Sequence, residues 1–191
     1  MAKITWKGSA LLAPVPPVLI TCGSGEKTNV FTVAWTGIIN SQPPKTYISV
    51  RPERWSYNLI NETKEFAINL TTSSLIRAVD FCGVRSGRDI DKFSACSLAT
   101  EEASEIACPI LSASPLSIEC RVTETIAMGS HTMFMADIVA TRVNEELIDI
   151  NGKLHLEGCS LAAYAHGDYF ALGKKIGYFG FSQKKKRKRL K

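Results

Sequence analysis

The chain has 191 residues, of which 45% are hydrophobic and 21% are charged, as in a globular protein with one core. Its net charge of +5 arises at the C-terminus, because residues 184–191, KKKRKRLK, hold seven of the 23 basic residues. The remainder has 16 basic and 18 acidic residues, so we expect no broad nucleic-acid-binding face. No apolar run is long enough to cross a membrane, and the first ten residues lack a secretory pattern; we therefore expect a cytoplasmic protein without membrane contact.

Two parts are predicted. Residues 1–183 form one folded domain, and residues 184–191 form a basic, disordered tail. The alternative for the tail is an anchor to RNA or to an acidic surface.

The first half of the domain is predicted to contain strands. PVPPVLITC enters a strand after prolines, and GSGEKTN is a turn. VFTVAWTGII, rich in β-branched and aromatic residues, is predicted to be one strand and KTYISV the next, with an extended turn at the double proline between them.

The second half mixes helices and strands. RPERWSYNLINET predicts a helix with Pro52 near its start, EFAINL a strand, and SSLIRAVDFCG a helix capped by Ser73 or Ser74 and closed by Gly83. Two long strands joined near Gly129 follow as a hairpin, and CSLAAYA adds one more. The expected fold class is mainly β with short helices, arranged as a β-barrel.

The chain lacks the common motifs of hydrolases and nucleotide-binding enzymes. There is no HExxH, no GxSxG, no P-loop and no Rossmann glycine pattern. The six cysteines include no CxxC, so we expect no metal site and predict that they are reduced, small buried side chains.

Three stretches suit a flat ring that carries a phosphate. NVFTVAWT places hydroxyls and small residues along a strand, SVRPER places Arg51 and Arg54 at a helix start, and RSGRDIDK forms a cationic loop. Each has an alternative: the arginines are solvated, the acidic residues of the loop pair with its basic ones, and Trp35 belongs to the core. The residues alone therefore predict a β-rich domain that binds a phosphorylated ligand.

Four stretches in this order resemble the flavin reductase-like family. They are residues 28–70, DFCGVRSGRDIDKF, GSHTMFMADIV and AYAHGDYFALG, and the resemblance extends from about Pro17 to Phe181. Within that family the chain looks most like the flavoredoxins. The resemblance implies a homodimer of split β-barrels with FMN bound near the dimer interface.

The resemblance also implies a set of site residues. His131 is the catalytic candidate, placed to position a nicotinamide or to stabilise negative charge that develops on the flavin, whereas Tyr164 and His166 are weaker candidates. The implied FMN-binding residues are Asn29, Thr32, Val33, Ala34, Trp35, Thr36, Ser49, Val50, Arg51, Ser56, Ser86, Arg88 and Lys92.

The predicted function is that of an FMN-binding oxidoreductase. It takes electrons from NAD(P)H or from a protein donor and passes them through FMN to a flavin, ferric or protein acceptor. The alternative is a non-enzymatic, flavin-binding electron carrier without a nicotinamide site.

Overall fold

A computed structural model describes residues 1–183; the predicted tail lies outside the described residues. The helices are α1 (Trp55–Thr63), α2 (Ile76–Val84) and α3 (Lys92–Ala95). The strands are β1 (Val18–Ser24), β2 (Lys27–Val33), β3 (Thr36–Ser41), β4 (Pro44–Val50), β5 (Glu65–Asn69), β6 (Thr100–Glu101), β7 (Ile110–Leu111), β8 (Leu116–Ala127), β9 (Thr132–Val143), β10 (Ala162–Ala165) and β11 (Asp168–Ala171).

Seven antiparallel strands form one sheet in the order β2-β1-β5-β8-β9-β4-β3. Its two edge strands, β2 and β3, are consecutive in the chain and are separated only by Ala34 and Trp35. The sheet must therefore curl until its edges approach each other, and β2 does contact β4. No backbone pairing joins β2 to β3 or β4, so the barrel is split along this line, which we call the seam.

The mainly β fold and the split barrel are confirmed, and several details differ from the sequence prediction. The single strand predicted for VFTVAWTGII is divided into β2 and β3, because the chain crosses the seam at Ala34 and Trp35. Pro52 lies outside α1, whose N-cap is Arg54. A short turn of helix at 73–75 precedes α2, which has no side-chain cap and ends at Val84 rather than Gly83. Helix α3 and the short strands β6, β7 and β11 were not predicted.

The core has two layers because β1 is buried on both faces. Ile20 and Cys22 point into the barrel, where they pack with Phe66 and Phe134, whereas Leu19 on the opposite face packs against Val79 of α2. Leu59 and Ile60 bring α1 into the inner layer. The apolar side chains of α1 and α2 therefore hold both helices against β1 and the neighbouring strand β2.

A buried carboxylate anchors the long loop before β7. Glu119 on β8 is fully buried and accepts hydrogen bonds from the backbone N–H of Ser104, from the Ser104 hydroxyl and from the backbone N–H of Glu105. Burial alone would raise the pKa of Glu119, but these hydrogen bonds lower it below its ordinary value.

The six cysteines are free thiols. All six were predicted to be buried, but only Cys22, Cys82, Cys108 and Cys120 are, whereas Cys96 and Cys159 are half-buried. Burial raises the pKa of Cys22 and of Cys82 to about 12. Among residues 1–183, no three His, Cys, Asp or Glu side chains are grouped so that they would hold a metal ion. The same part of the chain contains no helix that is long and apolar enough to span a membrane.

Candidate functional site

The seam opens into a cleft of about 490 Å³, which we call the main cleft. One wall is the end of β2 and the crossing at Ala34 and Trp35; the other comes from α2 and the β10–β11 hairpin. Because β2 is an edge strand, one row of its backbone N–H and C=O groups has no strand partner. The main cleft is lined by Pro17, Phe31, Thr32, Val33, Ala34, Trp35, Ser49, Val50, Arg51, Arg54, Asp80, Gly83, Val84, His131, Tyr164, Gly167 and Tyr169.

An aromatic pair lines the main cleft. The Trp35 ring is 43% exposed, so it is not a core residue, and its centroid lies 4.7 Å from that of His131 at an angle of 38°. Nδ1 of His131 lies 2.9 Å from the Ser130 hydroxyl. Burial, and secondly the positive charge of Arg51, lower the pKa of His131, which favours the neutral ring.

The main cleft continues into a second cavity of about 350 Å³, the cationic hollow. The two share Phe31, Arg51, Arg54 and Val84. The hollow is lined by Asn29, Phe31, Arg51, Glu53, Arg54, Trp55, Ser56, Val84, Arg85, Ser86, Gly87 and Lys92.

Lys92 is the unusual residue of the cationic hollow. Its side chain is only 2% exposed, and its ammonium donates a hydrogen bond to the Cys82 carbonyl over 3.2 Å. Burial lowers the pKa of Lys92. No carboxylate of residues 1–183 pairs with it. A buried charge without a counter-ion is costly, so the hollow around Lys92 is a favourable place for an anion.

The floor of the hollow is held rigidly. The Asn29 amide donates to the Ser56 hydroxyl over 2.6 Å, and both side chains are buried. Gly87 packs directly above them, since a Cβ at this position would lie 2.2 Å from Asn29 Oδ1 and 2.7 Å from Trp55 Cε3. Only glycine therefore lets the 85–88 loop approach this closely.

The N-terminus of α1 also faces the cationic hollow. Arg54 is its N-cap but makes no side-chain capping bond, and the first turn has no acidic residue. The free N–H groups of such a helix end favour an anion. The Arg54 guanidinium instead donates to the Gly83 carbonyl over 2.9 Å and thereby connects the start of α1 with the end of α2.

The structure brings most of the predicted residues together. Arg88 lies apart, in an outer hollow of about 570 Å³ on the far side of Gly87. Thr36 lines none of these cavities; its hydroxyl donates to the Tyr47 carbonyl over 2.6 Å. Thr32, Val33, Ala34, Trp35, Ser49, Val50, Arg51 and His131 line the main cleft, and Asn29, Ser56, Ser86 and Lys92 line the cationic hollow together with Arg51.

Four residues of the site are absent from the predicted set. Asp80 and Tyr169 carried no sequence signal, because they meet only through the packing of β11 beside α2. Arg85 was available in the basic loop, and Arg54 was noticed beside Arg51 but not included in the predicted site.

The comparison with protein families agrees with this geometry. Residues 11–172 match the flavin reductase like domain. The chain belongs to the flavin reductase-like family. The match covers the barrel, the main cleft and the cationic hollow.

Proteins similar to this chain include both solved structures and a named enzyme. Flavoredoxin of Desulfovibrio vulgaris (Miyazaki F) superimposes with a TM-score of 0.88 at 25% identity, over 96% of this chain and all of that one. An FMN-binding protein from Thermus thermophilus gives a TM-score of 0.78 at 22% identity over 93% and 97% of the two chains. An NADPH-flavin oxidoreductase of Streptomyces viridifaciens is 24% identical over 78% of each chain.

Proposed function

We propose that this flavin reductase-like protein binds FMN and transfers electrons from NAD(P)H, or from a protein donor, to a flavin, ferric or protein acceptor. The observation that carries the proposal is the continuity of the main cleft with the cationic hollow. A flat polar ring fits the main cleft, and a phosphate fits the cationic hollow. The volumes of both cavities lie within the range of small-molecule sites.

The main cleft suits the isoalloxazine ring. The unpaired backbone groups of β2 around Thr32 and Val33 offer donors and acceptors to the ring edge. The Thr32 hydroxyl is already used, because it donates to the Val79 carbonyl over 2.5 Å and holds α2 beside β2. Backbone rather than side-chain atoms would therefore recognise the ring, with Trp35 beside it.

The cationic hollow suits the phosphate. A phosphate monoester carries a charge of about −1.5 to −2 at pH 7. The hollow is lined by four basic residues, Arg51, Arg54, Arg85 and Lys92, and by a single carboxylate, that of Glu53. Glu53 forms an exposed ion pair with Arg51, with 3.4 Å between Oε1 and Nη1. A bound phosphate would supply the counter-charge that Lys92 lacks, while Ser56, Ser86 and Asn29 offer neutral polar groups.

FMN would supply the redox chemistry, by accepting a hydride or electrons. The protein would bind FMN, orient the electron donor against it and exclude water from the site. His131, whose ring packs at a tilt against that of Trp35, lines the main cleft, where it would position a nicotinamide or stabilise negative charge on the flavin ring. Hydride transfer needs proximity more than acid–base groups, which agrees with a cleft whose one carboxylate is Asp80.

The relatives support the same proposal. Flavoredoxin and the FMN-binding protein share the fold, and the Streptomyces relative is named as a flavin oxidoreductase. A homodimer is proposed from the family resemblance. The β3 edge carries the exposed side chains of Ile38 and Ile39, which a second subunit would cover.

The first test is the visible spectrum of the purified protein reconstituted with FMN, followed by anaerobic addition of NADH and then NADPH. Bleaching by either donor supports a reductase. A retained flavin that neither donor reduces, but that a protein donor does, favours the electron carrier. A protein that binds no FMN refutes the proposal.

The phosphate assignment is tested with Arg51→Ala. Arg51 is half exposed, so we expect the loss of one screened, charge-assisted contact and roughly a tenfold increase in the Kd for FMN. Arg77→Ala is the matched control, since Arg77 is an exposed arginine of α2 that lines no cavity of the site. An unchanged FMN affinity in Arg51→Ala would contradict the assignment.

A further inference from the structure

Charged side chains of both signs line the main cleft. Arg51 and Arg54 lie at the end that joins the cationic hollow. Asp80 is the only carboxylate among the described residues that line the main cleft. A ligand bound in the main cleft therefore meets a single carboxylate as well as the two arginines.

Asp80 faces the main cleft because of its position on α2. Gly83 and Val84, three and four residues further along the helix, line the same cleft, so all three share one helix face. Arg54 holds the end of this helix through the Gly83 carbonyl. The carboxylate is thus presented by a rigid element rather than by a loop.

Tyr169 orients the carboxylate. Its hydroxyl donates to Asp80 Oδ1 over 3.3 Å, and burial, followed by the charge of Asp80, raises the pKa of Tyr169, so the phenol keeps its proton. Within residues 1–183 the structure gives the Asp80 side chain no other hydrogen bond or ion pair. Its second oxygen is therefore free to accept a hydrogen bond from a ligand.

The surroundings favour a sugar or a base over a phosphate. The Tyr164 and Tyr169 rings pack with centroids 5.4 Å apart and form an aromatic wall beside the carboxylate. Backbone hydrogen bonds between Val15 and Tyr164 fix this wall to the start of the barrel. Gly167 at the hairpin turn adds no side chain and leaves the space open.

We infer that Asp80, positioned by Tyr169, accepts a hydrogen bond from a ribose hydroxyl of the electron donor and selects against a donor with a phosphate on that ribose. This rests on the proposed function and names its donor as NADH rather than NADPH. A carboxylate accepts from a free 2′-hydroxyl, whereas a 2′-phosphate would meet like charge. The chain would thus differ from the Streptomyces relative, which is named for NADPH.

The test measures binding of ADP-ribose and of 2′-phospho-ADP-ribose to the full-length protein by calorimetry, a readout that needs no flavin chemistry. The wild type should bind ADP-ribose roughly tenfold more tightly, the value of one hydrogen bond to a charged group. Asp80→Asn should lose this preference, Asp80→Glu should keep part of it, and Tyr169→Phe should weaken it. Asp168→Asn, an exposed acid of the same hairpin that lines no part of the main cleft, is the control.

Kinetics with the FMN-loaded protein give a second readout. Tyr169→Phe should raise the KM for NADH with kcat unchanged, because a positioning residue acts on binding. Equal or tighter binding of the 2′-phosphate, no binding of either ligand, or an unchanged preference in Asp80→Asn would overturn the inference. Failure to bind FMN would instead refute the proposed function. Because FMN binding and ADP-ribose binding are measured separately, the two failures can be distinguished.

Discussion

Replacing Lys92 by methionine should make the flavin-free protein more stable and at the same time weaken FMN binding. Methionine keeps the length and apolar stem of lysine but removes a charge that is 2% exposed and has no carboxylate partner among residues 1–183. Desolvating one ion costs several kcal/mol. The lost hydrogen bond to the Cys82 carbonyl contributes about 1.5–3 kcal/mol, which leaves a net stabilisation of about 1–2 kcal/mol.

The stabilisation should depend on pH in a defined direction. Burial lowers the pKa of Lys92 below its ordinary value of 10.5. At a pH below the folded-state pKa, the Lys92 ammonium is charged in the folded and in the unfolded protein, and the folded protein bears the full free-energy cost of burying that charge. As the pH rises from that pKa toward 10.5, the folded state releases its proton first, so the stability of the wild type rises. The difference between the variant and the wild type should therefore shrink with rising pH.

The assay is urea unfolding of flavin-free protein at several pH values, with FMN titration followed by flavin fluorescence. Lys174→Met, an exposed lysine outside the site, is the control and should change neither quantity. Because Lys92 would lose a charge-assisted contact to phosphate, its variant should bind FMN at least tenfold more weakly. A loss of stability above about 1 kcal/mol, or unchanged FMN affinity, would refute the reasoning.

Three further predictions follow from the site and the core. Gly87→Ala should weaken FMN binding, because a Cβ at Gly87 would displace Asn29; Gly173→Ala, where a Cβ meets nothing within 4 Å, is the control. Glu119→Ala should lower the free energy of unfolding by about 3 kcal/mol, since it leaves buried donors unpaired. The folded-state pKa of Glu119 is lowered, so wild-type stability should fall as the pH drops through that value, and Glu119→Gln should show a weaker dependence in acid denaturation. His131→Asn should slow flavin reduction by NADH roughly tenfold with little change in FMN affinity, measured by stopped flow; an unchanged rate would remove His131 from the mechanism.

The sequence predicted what is locally encoded. The β-branched runs of β1, β4 and β5 and the long β8–β9 hairpin all appear where their residues indicate. Arg51, Ser56 and Lys92, predicted from the family resemblance, converge on one hollow in the structure.

What the sequence could not predict depends on contacts between distant segments. Nothing in VFTVAWTGII marks the crossing at Ala34 and Trp35, because that break follows from the curl of the whole sheet. Strand β11 is short, and it is defined by pairing with β10 rather than by its own composition. The pairing of Asp80 with Tyr169 spans 89 residues, so only the folded chain brings them together.

If FMN binds at the seam as proposed, the supply of flavin also affects how the protein behaves during expression. Two unpaired strand edges, one of them carrying the exposed Ile38 and Ile39, are templates for pairing with other copies and for aggregation. A ligand seated in the seam would cover one of these edges and stabilise the native state in proportion to its concentration. Chains synthesised faster than flavin is supplied should therefore accumulate in insoluble material, and riboflavin added to the growth medium should raise the soluble yield.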